Sequence, residues 1–366
     1  MSALKIEQLL RLMAQKKASD LHIRVGVPPI YRINGKLTRV LDTPIDASTM
    51  DEFLVDMMNR DQMQRFETNK ECDFAVGARD MGRFRVNVFR QRGSSAMVIR
   101  HIKASIPKFQ ELKLPDVILE LAERKRGLVL VTGTTGSGKS TCLASMIDHL
   151  NDTVSDNIIT VEDPIEYLHK DRTSIISQRE IGVDTNSYAN ALRSALRQDP
   201  DVLLVGEIRD LETMQIALTA ADTGHMVFAT IHTTNATETI ARVLSMYPPH
   251  QHDEVRLLLG ECLAGIISLR LLPMADGSGR VPAAEVMVNT AAIREYIIDK
   301  NKTGMIEQAI AEGHMQYRSQ TFDQALLDLY AKQLITYEVA LAAATNPDDF
   351  DLKVRGISGT SDRGWM

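Results

Sequence analysis

The chain has 366 residues, of which 44% are hydrophobic and 25% are charged, and its formal net charge at pH 7 is −6. This composition is typical of a globular protein with room for two domains, and the negative balance gives no overall basic field that would attract nucleic acid. No apolar run reaches the roughly 18 residues of a membrane span, and the N-terminus lacks a signal-peptide pattern. Together with three widely spaced cysteines, which suit a reducing compartment, these features predict a cytoplasmic protein.

Residues 1–102 predict a small α+β domain. Apolar residues recur at helical spacing over residues 4–13, and patterns typical of strands follow in S-D-L-H-I-R-V, R-F-R-V-N-V-F-R and A-M-V-I-R-H-I. Residues 103–126 contain two prolines and the charged cluster E-R-K-R, which favours a linker.

Residues 127–355 predict a second domain of the α/β class. Apolar strand patterns alternate there with helical segments, which indicates a mostly parallel sheet covered by helices. The strand patterns lie at residues 127–132, 158–162, 202–206 and 226–231. From about residue 254 the pattern is largely helical, with a hairpin or loop at A-D-G-S-G-R, and residues 356–366 predict a flexible polar tail.

A phosphate-binding loop is predicted directly after the first of these strands. The segment G-T-T-G-S-G-K-S fits the pattern G-x-x-x-x-G-K-[ST], and it lies between a strand and a helix, as that pattern requires. Its glycines let backbone N–H groups surround phosphates, while Lys139 reaches the β and γ phosphates and Ser140 meets Mg²⁺. The predicted ATP-binding residues are Gly133, Thr134, Thr135, Gly136, Ser137, Gly138, Lys139, Ser140 and Thr141.

Carboxylates follow the next two strands. The segment T-V-E-D-P-I-E-Y places Glu166 shortly after a strand end, where it could orient an attacking water, although an acidic loop that caps a helix would look the same. In D-V-L-L-V-G-E-I-R-D, Gly206 stands where P-loop ATPases usually have a magnesium-binding aspartate. Glu207 is then the carboxylate available to hold the water shell of a metal ion.

Two histidines, His225 and His232, bracket the last apolar strand. A histidine at a strand end is more often a surface or hydrogen-bonding residue than a catalytic one. Beside a nucleotide site, however, an imidazole could sense whether the γ-phosphate is present.

Four segments in this order resemble the secretion-type ATPases, and most of all their PilT/PilU pilus-retraction branch. They are G-T-T-G-S-G-K-S-T, T-V-E-D-P-I-E-Y-L-H, L-R-Q-D-P-D-V-L-L-V-G-E-I-R-D and T-G-H-M-V-F-A-T-I-H-T-T-N-A. The likeness extends to A-S-D-L-H-I, G-R-F-R-V-N-V-F and T-F-D-Q-A-L-L-D-L-Y, so it covers nearly the whole chain.

The resemblance implies a PAS-like α+β N-terminal domain followed by a RecA-like P-loop ATPase domain with a helical C-terminal part. It also implies a homo-hexameric ring whose nucleotide sites lie at domain and subunit boundaries. Arginines of the N-terminal domain would point toward the nucleotide, although solvated strand-edge arginines are the simpler alternative for them. The catalytic residues that the resemblance implies are Glu166, Glu207, His225, His232, Arg85 and Arg100, and the metal-binding residues are Ser140 and Glu207.

By the same resemblance, the chain would hydrolyse ATP with Mg²⁺ to power type IV pilus retraction and twitching motility. It would act on an inner-membrane pilus platform protein and lie in the cytoplasm at that membrane. Residues 292–299, A-I-R-E-Y-I-I-D, match the A-I-R-N-L-I-R-E segment of PilT-type ATPases only in part. Both the main retraction motor and an accessory PilU-like paralogue that works with it therefore remain open.

Two other function classes fit the sequence less well. A nucleic-acid translocase on the same core is disfavoured by the negative charge, by an aromatic content of only 5% and by the lack of a basic stacking platform. A regulatory subunit that binds nucleotide without hydrolysing it is disfavoured because Lys139, Glu166 and Glu207 are all present.

Overall fold

The computed structural model describes residues 4–33, 35–78, 81–102 and 105–356. The chain divides into two compact units, which are residues 1–105 with 166–168, and residues 106–165 with 169–366. Most of the predicted tail, from residue 357 onward, lies outside the described residues.

In the first unit, helices pack on one face of an antiparallel sheet. Its described elements are α1 (Ile6–Gln15), β1 (Asp20–Arg24), β2 (Ile30–Ile33), β3 (Lys36–Arg39), α2 (Ala47–Met57), α3 (Arg60–Asn69), β4 (Glu71–Ala78), β5 (Gly82–Gln91) and β6 (Ser94–Ile102). The strand order is β3-β2-β1-β6-β5-β4. Successive side chains point to opposite faces of the sheet, so that Leu21 and Val86 are buried on one face while Asp20, Arg85 and Arg100 lie on the other.

The second unit is built on a mixed sheet with the strand order β13-β12-β7-β11-β10-β8-β9. The elements up to the end of this sheet are α4 (Val117–Ala122), β7 (Gly127–Thr132), α5 (Lys139–Thr153), β8 (Asn157–Glu162), β9 (Ile175–Glu180), α6 (Tyr188–Ala195), β10 (Val202–Val205), α7 (Leu211–Asp222), β11 (Met226–Ile231), α8 (Ala236–Ser245), α9 (His252–Cys262), β12 (Leu263–Pro273) and β13 (Arg280–Val288). The remaining helices are α10 (Ala291–Ile298), α11 (Ile306–Glu312), α12 (His314–Tyr317), α13 (Phe322–Ala331), α14 (Tyr337–Ala343) and α15 (Pro347–Val354).

The central strands of this sheet are parallel and buried on both faces. Strand β7 pairs with β11, β11 with β10, and β10 with β8, all in parallel. Successive side chains of β7 enter two different hydrophobic cores, because Leu128 and Leu130 face one core and Val129 and Val131 face the other. The predicted α/β class and its parallel sheet are confirmed.

The C-terminal part contains two long strands, β12 and β13, in a region that we expected to be largely helical with a hairpin or loop at A-D-G-S-G-R. Strand β12 pairs with β13 in antiparallel fashion, and the predicted A-D-G-S-G-R turn connects them. The run L-A-G-I-I-S-L-R-L-L is apolar almost throughout, because β12 is buried between β7 and β13. Such a run does not distinguish a buried strand from a buried helix.

The predicted linker 103–126 is largely part of the second unit, which begins at residue 106. Phe109, Ile118 and Leu121 are buried in the core that contains Val129 and Val131. Helix α4 supplies two of these side chains at positions three residues apart, which places them on one helix face. In the sequence this short apolar pattern is difficult to recognise, because prolines precede it and the charged E-R-K-R cluster follows it.

Strand β12 depends on a glycine at its closest approach to its neighbours. A Cβ atom at Gly265 would lie 2.7 Å from the carbonyl oxygen of Met287 and 2.9 Å from Cδ1 of Leu121. We expect Gly265→Ala to lower the free energy of unfolding by about 1–3 kcal/mol, as overpacking does in other cores. Gly279→Ala is the matched control, since a Cβ there meets no atom within 4 Å. Equal denaturation midpoints for the two variants would contradict this packing.

Candidate nucleotide-binding site

The phosphate loop, residues 133–138, joins β7 to α5 and requires glycine at defined places. Gly133, Gly136 and Gly138 have φ angles of 140°, 80° and 102°, which side-chain-bearing residues rarely adopt. A Cβ at Gly133 would also lie 2.4 Å from Oγ of Ser137. Because Gly138 is the N-cap of α5, no side chain caps the first N–H groups of that helix. The loop therefore presents backbone donors at a helix N-terminus, as anion sites do.

Lys139 holds a positive charge inside this loop. Its side chain is nearly buried, with the residue 8% exposed, and Nζ donates hydrogen bonds to the carbonyl oxygens of Gly133, at 2.8 Å, and Thr134, at 3.0 Å. Ser140 and Thr141, in the first turn of α5, are half-buried. The outer part of the loop, Thr134 to Gly136, is exposed. An anion approaching from solvent would thus meet backbone N–H groups in front of a fixed ammonium group.

Glu207 follows β10 at the same edge of the sheet. Its Oε2 accepts a hydrogen bond from Arg209 at 2.6 Å, and its Oε1 lies 3.1 Å from Nε2 of His232. Burial alone would raise the pKa of Glu207. The hydrogen bond from Arg209 and the positive charges of His232 and Lys139 outweigh burial, and the pKa is lowered. Glu207 is therefore an ionised carboxylate within electrostatic reach of the phosphate-loop lysine.

A side chain at position 206, where an aspartate is usual, would be crowded by its neighbours. A Cβ there would lie 3.0 Å from the hydroxyl of Tyr188 and 3.1 Å from both the Val161 carbonyl oxygen and the Glu162 Cα. Thr230 of β11 donates a hydrogen bond to the Gly206 carbonyl at 2.6 Å, which fixes this backbone further. The close packing between β8, β10 and α6 thus leaves little room for a side chain at this position.

The two histidines lie at opposite edges of the sheet. His232 follows β11 and contacts Glu207 beside the phosphate loop. His225 precedes the same strand, and its Nδ1 lies 2.9 Å from the carbonyl oxygen of Ala220 at the end of α7. A six-residue strand is about 20 Å long. The structure therefore brings only His232 to the phosphate-loop edge, and the prediction that both histidines act at one site does not fit within a single subunit.

The acidic segment after β8 is anchored at both of its ends. The backbone N–H of Ile165 donates to Oε2 of Glu180 at 3.1 Å, and that of His169 donates to Oε1 of Gln178 at 2.9 Å. Both acceptors belong to β9. Between these anchors, Glu166 is exposed to solvent. The loop thus presents this carboxylate on a defined backbone and leaves it accessible to a water molecule.

Arg85 and Arg100 are neighbours on the polar face of the first unit. They are directly paired across β5 and β6, and Arg100 is paired with Asp20 across β6 and β1. Nε of Arg100 donates to Oδ1 of Asp20 at 2.9 Å, and the Arg100 side chain remains 68% exposed. Although burial raises the pKa of Asp20, hydrogen bonds from Ser19 and Arg100 lower it overall. An ionised, buried aspartate therefore orients the exposed arginine.

Two residues at the phosphate-loop edge were not predicted from the sequence. Tyr188 lies beside Gly206, and its pKa is raised by burial and by the negative charges of Asp163 and Glu207. Arg209 binds Glu207 directly. Its place two residues after Glu207 in G-E-I-R-D was a usable signal for Arg209, whereas Tyr188 comes from a segment with no recognisable motif.

The donor atoms at this edge fit Mg²⁺ only together with phosphate. In the part of the chain that the structure describes, no three histidine, cysteine or carboxylate side chains meet to form a metal site of their own. The hydroxyl of Ser140 and the carboxylate of Glu207 are oxygen donors of the kind that Mg²⁺ prefers beside nucleotide phosphates and water.

Among the described helices, none combines the length and the apolar character that crossing a lipid bilayer requires.

A family model described as type II/IV secretion system protein matches residues 3–332. The chain belongs to this family. It is 43% identical to the type IV pilus ATPase PilU of Pseudomonas aeruginosa over 352 residues, which are 96% of this chain and 92% of PilU. It is 44% identical to PilT of the same organism, described as a type IV pilus retraction ATPase, over 345 residues, which are 94% of this chain and 99% of PilT.

A solved structure gives the same assignment. The crystal structure of the pilus retraction motor PilT with bound ADP superimposes on this secretion-family chain with a TM-score of 0.88 and 46% identity, covering 94% of this chain and 98% of PilT. The predicted resemblance to the PilT/PilU branch and the predicted fold class are both confirmed.

The crowding at Gly206 can be tested by substitution. We expect Gly206→Ala to lower the free energy of unfolding by about 1 kcal/mol or more, because two of the three close contacts are with the backbone of β8. Adding Tyr188→Phe should reduce this loss, since the phenol oxygen is the third contact. Gly304→Ala, where a Cβ meets no atom within 4 Å, is the control. The free energies of unfolding are measured by chemical denaturation. If the loss in the double variant equals the sum of the losses in the two single variants, residues 188 and 206 are not in contact.

Proposed function

We propose that this chain is a Mg²⁺-dependent ATPase motor that powers type IV pilus retraction and thereby twitching motility. One observation carries the proposal: an intact phosphate loop around Lys139 faces an ionised Glu207 in a chain that matches PilT and PilU over nearly its full length. Retraction needs repeated conformational change, and ATP hydrolysis is the energy source that this site is built to use.

Nucleotide binding would follow from the loop geometry. The backbone N–H groups of residues 133–138 and the open N-terminus of α5 would surround the β-phosphate. Lys139, now held by two loop carbonyls, would exchange them for phosphate oxygens, which bind an ammonium group more strongly because they are charged. Ser140 would ligate Mg²⁺, and Glu207 would hold water molecules of that ion. Bound Mg²⁺ would neutralise the charge that develops on the transferring phosphoryl group.

Hydrolysis requires a water molecule in line with the leaving phosphate. We assign its orientation to Glu166, because this carboxylate is exposed on a loop anchored at both ends. We assign to His232 the sensing of the γ-phosphate, because it contacts Glu207 at the phosphate-loop edge. His225 lies at the other end of β11 and is not assigned to this site.

The N-terminal arginines would complete the site in an assembly. An arginine directed at the phosphoryl group stabilises the charge of the transition state, and Asp20 already orients Arg100. The resemblance to the secretion-type ATPases implies a ring, so we propose a homo-hexamer in which Arg85 and Arg100 act on nucleotide. The ring would work on the cytoplasmic side of the inner membrane, on a pilus platform protein in that membrane.

Two roles in retraction fit the comparisons equally. The identities to PilU and PilT are nearly the same, 43% and 44%. The chain is accordingly proposed either as the main retraction motor or as an accessory ATPase that works with a paralogous one.

The catalytic assignment predicts different defects for two substitutions. We expect Lys139→Ala to weaken ATP binding at least tenfold and to abolish turnover, because it removes the fixed cation of the loop. Glu166→Gln should retain ATP with near-normal affinity and lose turnover by a factor of about 100 or more, since the carboxylate acts on water. Binding of a fluorescent ATP analogue and phosphate release separate the two effects. Normal turnover in Glu166→Gln would move the catalytic role to another carboxylate, with Glu207 next.

The proposed ring predicts that activity depends on assembly. Specific ATPase activity should rise with protein concentration as light scattering shows hexamers forming. Arg100→Ala should lower kcat far more than ATP affinity, because the contact would form mainly in the transition state. Arg24→Ala, another exposed arginine on the same sheet face, is the control. Constant activity while hexamers dissociate to monomers would exclude a shared site and leave Arg100 as a surface residue that pairs with Asp20.

A further inference from the structure

Glu285 is a buried carboxylate that the proposed mechanism leaves without a role. It lies on β13 with only 5% of the residue exposed. Strand pairing places it beside Ser268 of β12, and Ser268 beside Thr132 of β7. Thr132 is the last residue of β7, directly before the phosphate loop. One row of the sheet therefore leads from this carboxylate to the strand end that carries the loop.

The carboxylate binds the start of helix α8. Its Oε1 accepts a hydrogen bond from the backbone N–H of Ala236, at 2.7 Å, and one from Oγ of Ser268, at 3.2 Å. Ala236 is the first residue of α8. The first N–H groups of a helix have no partner within the helix, and a negative charge there is favourable. Glu285 thus ties this helix start to the β12–β13 hairpin.

The segment between β11 and α8, residues 232–235, is short and carries His232. At its upstream end, Ile231 is paired with Thr132 in the sheet. At its downstream end, Ala236 is held by Glu285. Nε2 of His232 lies 3.1 Å from Oε1 of Glu207. Within the segment, the N–H and the hydroxyl of Thr234 also donate hydrogen bonds to Glu238 of α8. Glu285 is therefore one of several groups that hold the segment that carries His232.

We propose that Glu285 is a positioning residue for ATP hydrolysis, which holds the 232–235 segment so that His232 faces Glu207 at the phosphate-loop edge. This inference rests on the proposed ATPase function. Glu285 acts through the N–H of Ala236 and not on the nucleotide, so its loss should affect turnover more than ATP binding.

The surroundings of Glu285 make its charge sensitive to pH. Burial raises its pKa to about 7, although the bonds from Ala236 and Ser268 favour the ionised form. Two charged residues face it from neighbouring elements, since Glu307 of α11 raises the pKa further and Arg270 of β12 lowers it. The guanidinium of Arg270 donates to the Ala343 carbonyl at 2.6 Å and stacks over the ring of Phe322.

Activity and stability should then respond to pH in opposite directions. An ionised carboxylate accepts the Ala236 N–H in a bond roughly twice as strong as a neutral acid does, so positioning weakens as pH falls below about 7. Because the folded-state pKa is raised above the ordinary value of 4.5, the stabilisation from this group is complete at or below that value. It is lost as pH rises through about 7.

The experiment uses the full-length protein and compares wild type with Glu285→Gln, Glu285→Ala and the exposed control Glu254→Gln. ATPase kcat and KM, ATP-analogue affinity and thermal unfolding are measured from about pH 5.5 to about pH 8.5, a range that brackets such a titration. Wild type and Glu254→Gln should lose kcat severalfold on the acid side of about pH 7. Glu285→Gln keeps a hydrogen-bond acceptor of the same shape but cannot ionise. The loss of kcat at acid pH should therefore be largely absent from this variant.

Glu285→Ala should lower kcat at every pH by about tenfold, with KM and affinity nearly unchanged, and Glu285→Gln should restore most of the rate. If Glu285→Gln retains the wild-type pH profile of kcat, or if Glu285→Ala lowers only the unfolding temperature, the positioning role is wrong. Should Glu285→Ala fail to fold, the profile of Glu285→Gln decides alone. A wild-type protein that hydrolyses no ATP at any pH would contradict the proposed function instead.

Discussion

The nucleotide site depends on the in-register parallel pairing of β7, β11, β10 and β8. This pairing places Thr132 beside Ile231, and Ala229 beside Val205, so the segments that follow these strands emerge at one edge of the sheet. The phosphate loop, Glu207 and His232 are neighbours for that reason alone, although they are far apart in sequence. Hydrophobic cores on both faces of the sheet hold the register, since slipping one strand would expose apolar side chains.

The charged groups at this edge have polar partners within the chain. Lys139 is held by loop carbonyls, while Glu207 is held by Arg209 and His232. A polyphosphate entering the loop would compete with these carbonyls for Lys139 and with Glu207 for Arg209 and His232. In the proposed mechanism, such competition would connect the state of the nucleotide to the position of His232. The 232–235 segment then connects His232 to α8 and, through Ala236, to Glu285.

Local patterns made the phosphate loop, the parallel strands and Glu207 predictable, because each is set by a few adjacent residues. The opposite positions of His225 and His232 were also within reach, since seven residues along a strand span the whole sheet. Tyr188 and Glu285 were not predictable, because their roles come from contacts between distant segments. The sequence did not distinguish strand β12 from a helix. Because β12 is buried on both sides, it lacks the alternation of apolar and polar residues that identifies a half-buried strand.

In the proposed function, ATP hydrolysis at this phosphate loop drives pilus retraction. The most direct measurement replaces the gene in its piliated host with the Lys139→Ala allele and follows labelled pili in living cells. We expect that pili still extend, that retraction events become rare or slow, and that the wild-type allele restores them. Retraction of unchanged frequency and speed, with the variant protein present at its normal level, would exclude this role for the phosphate loop.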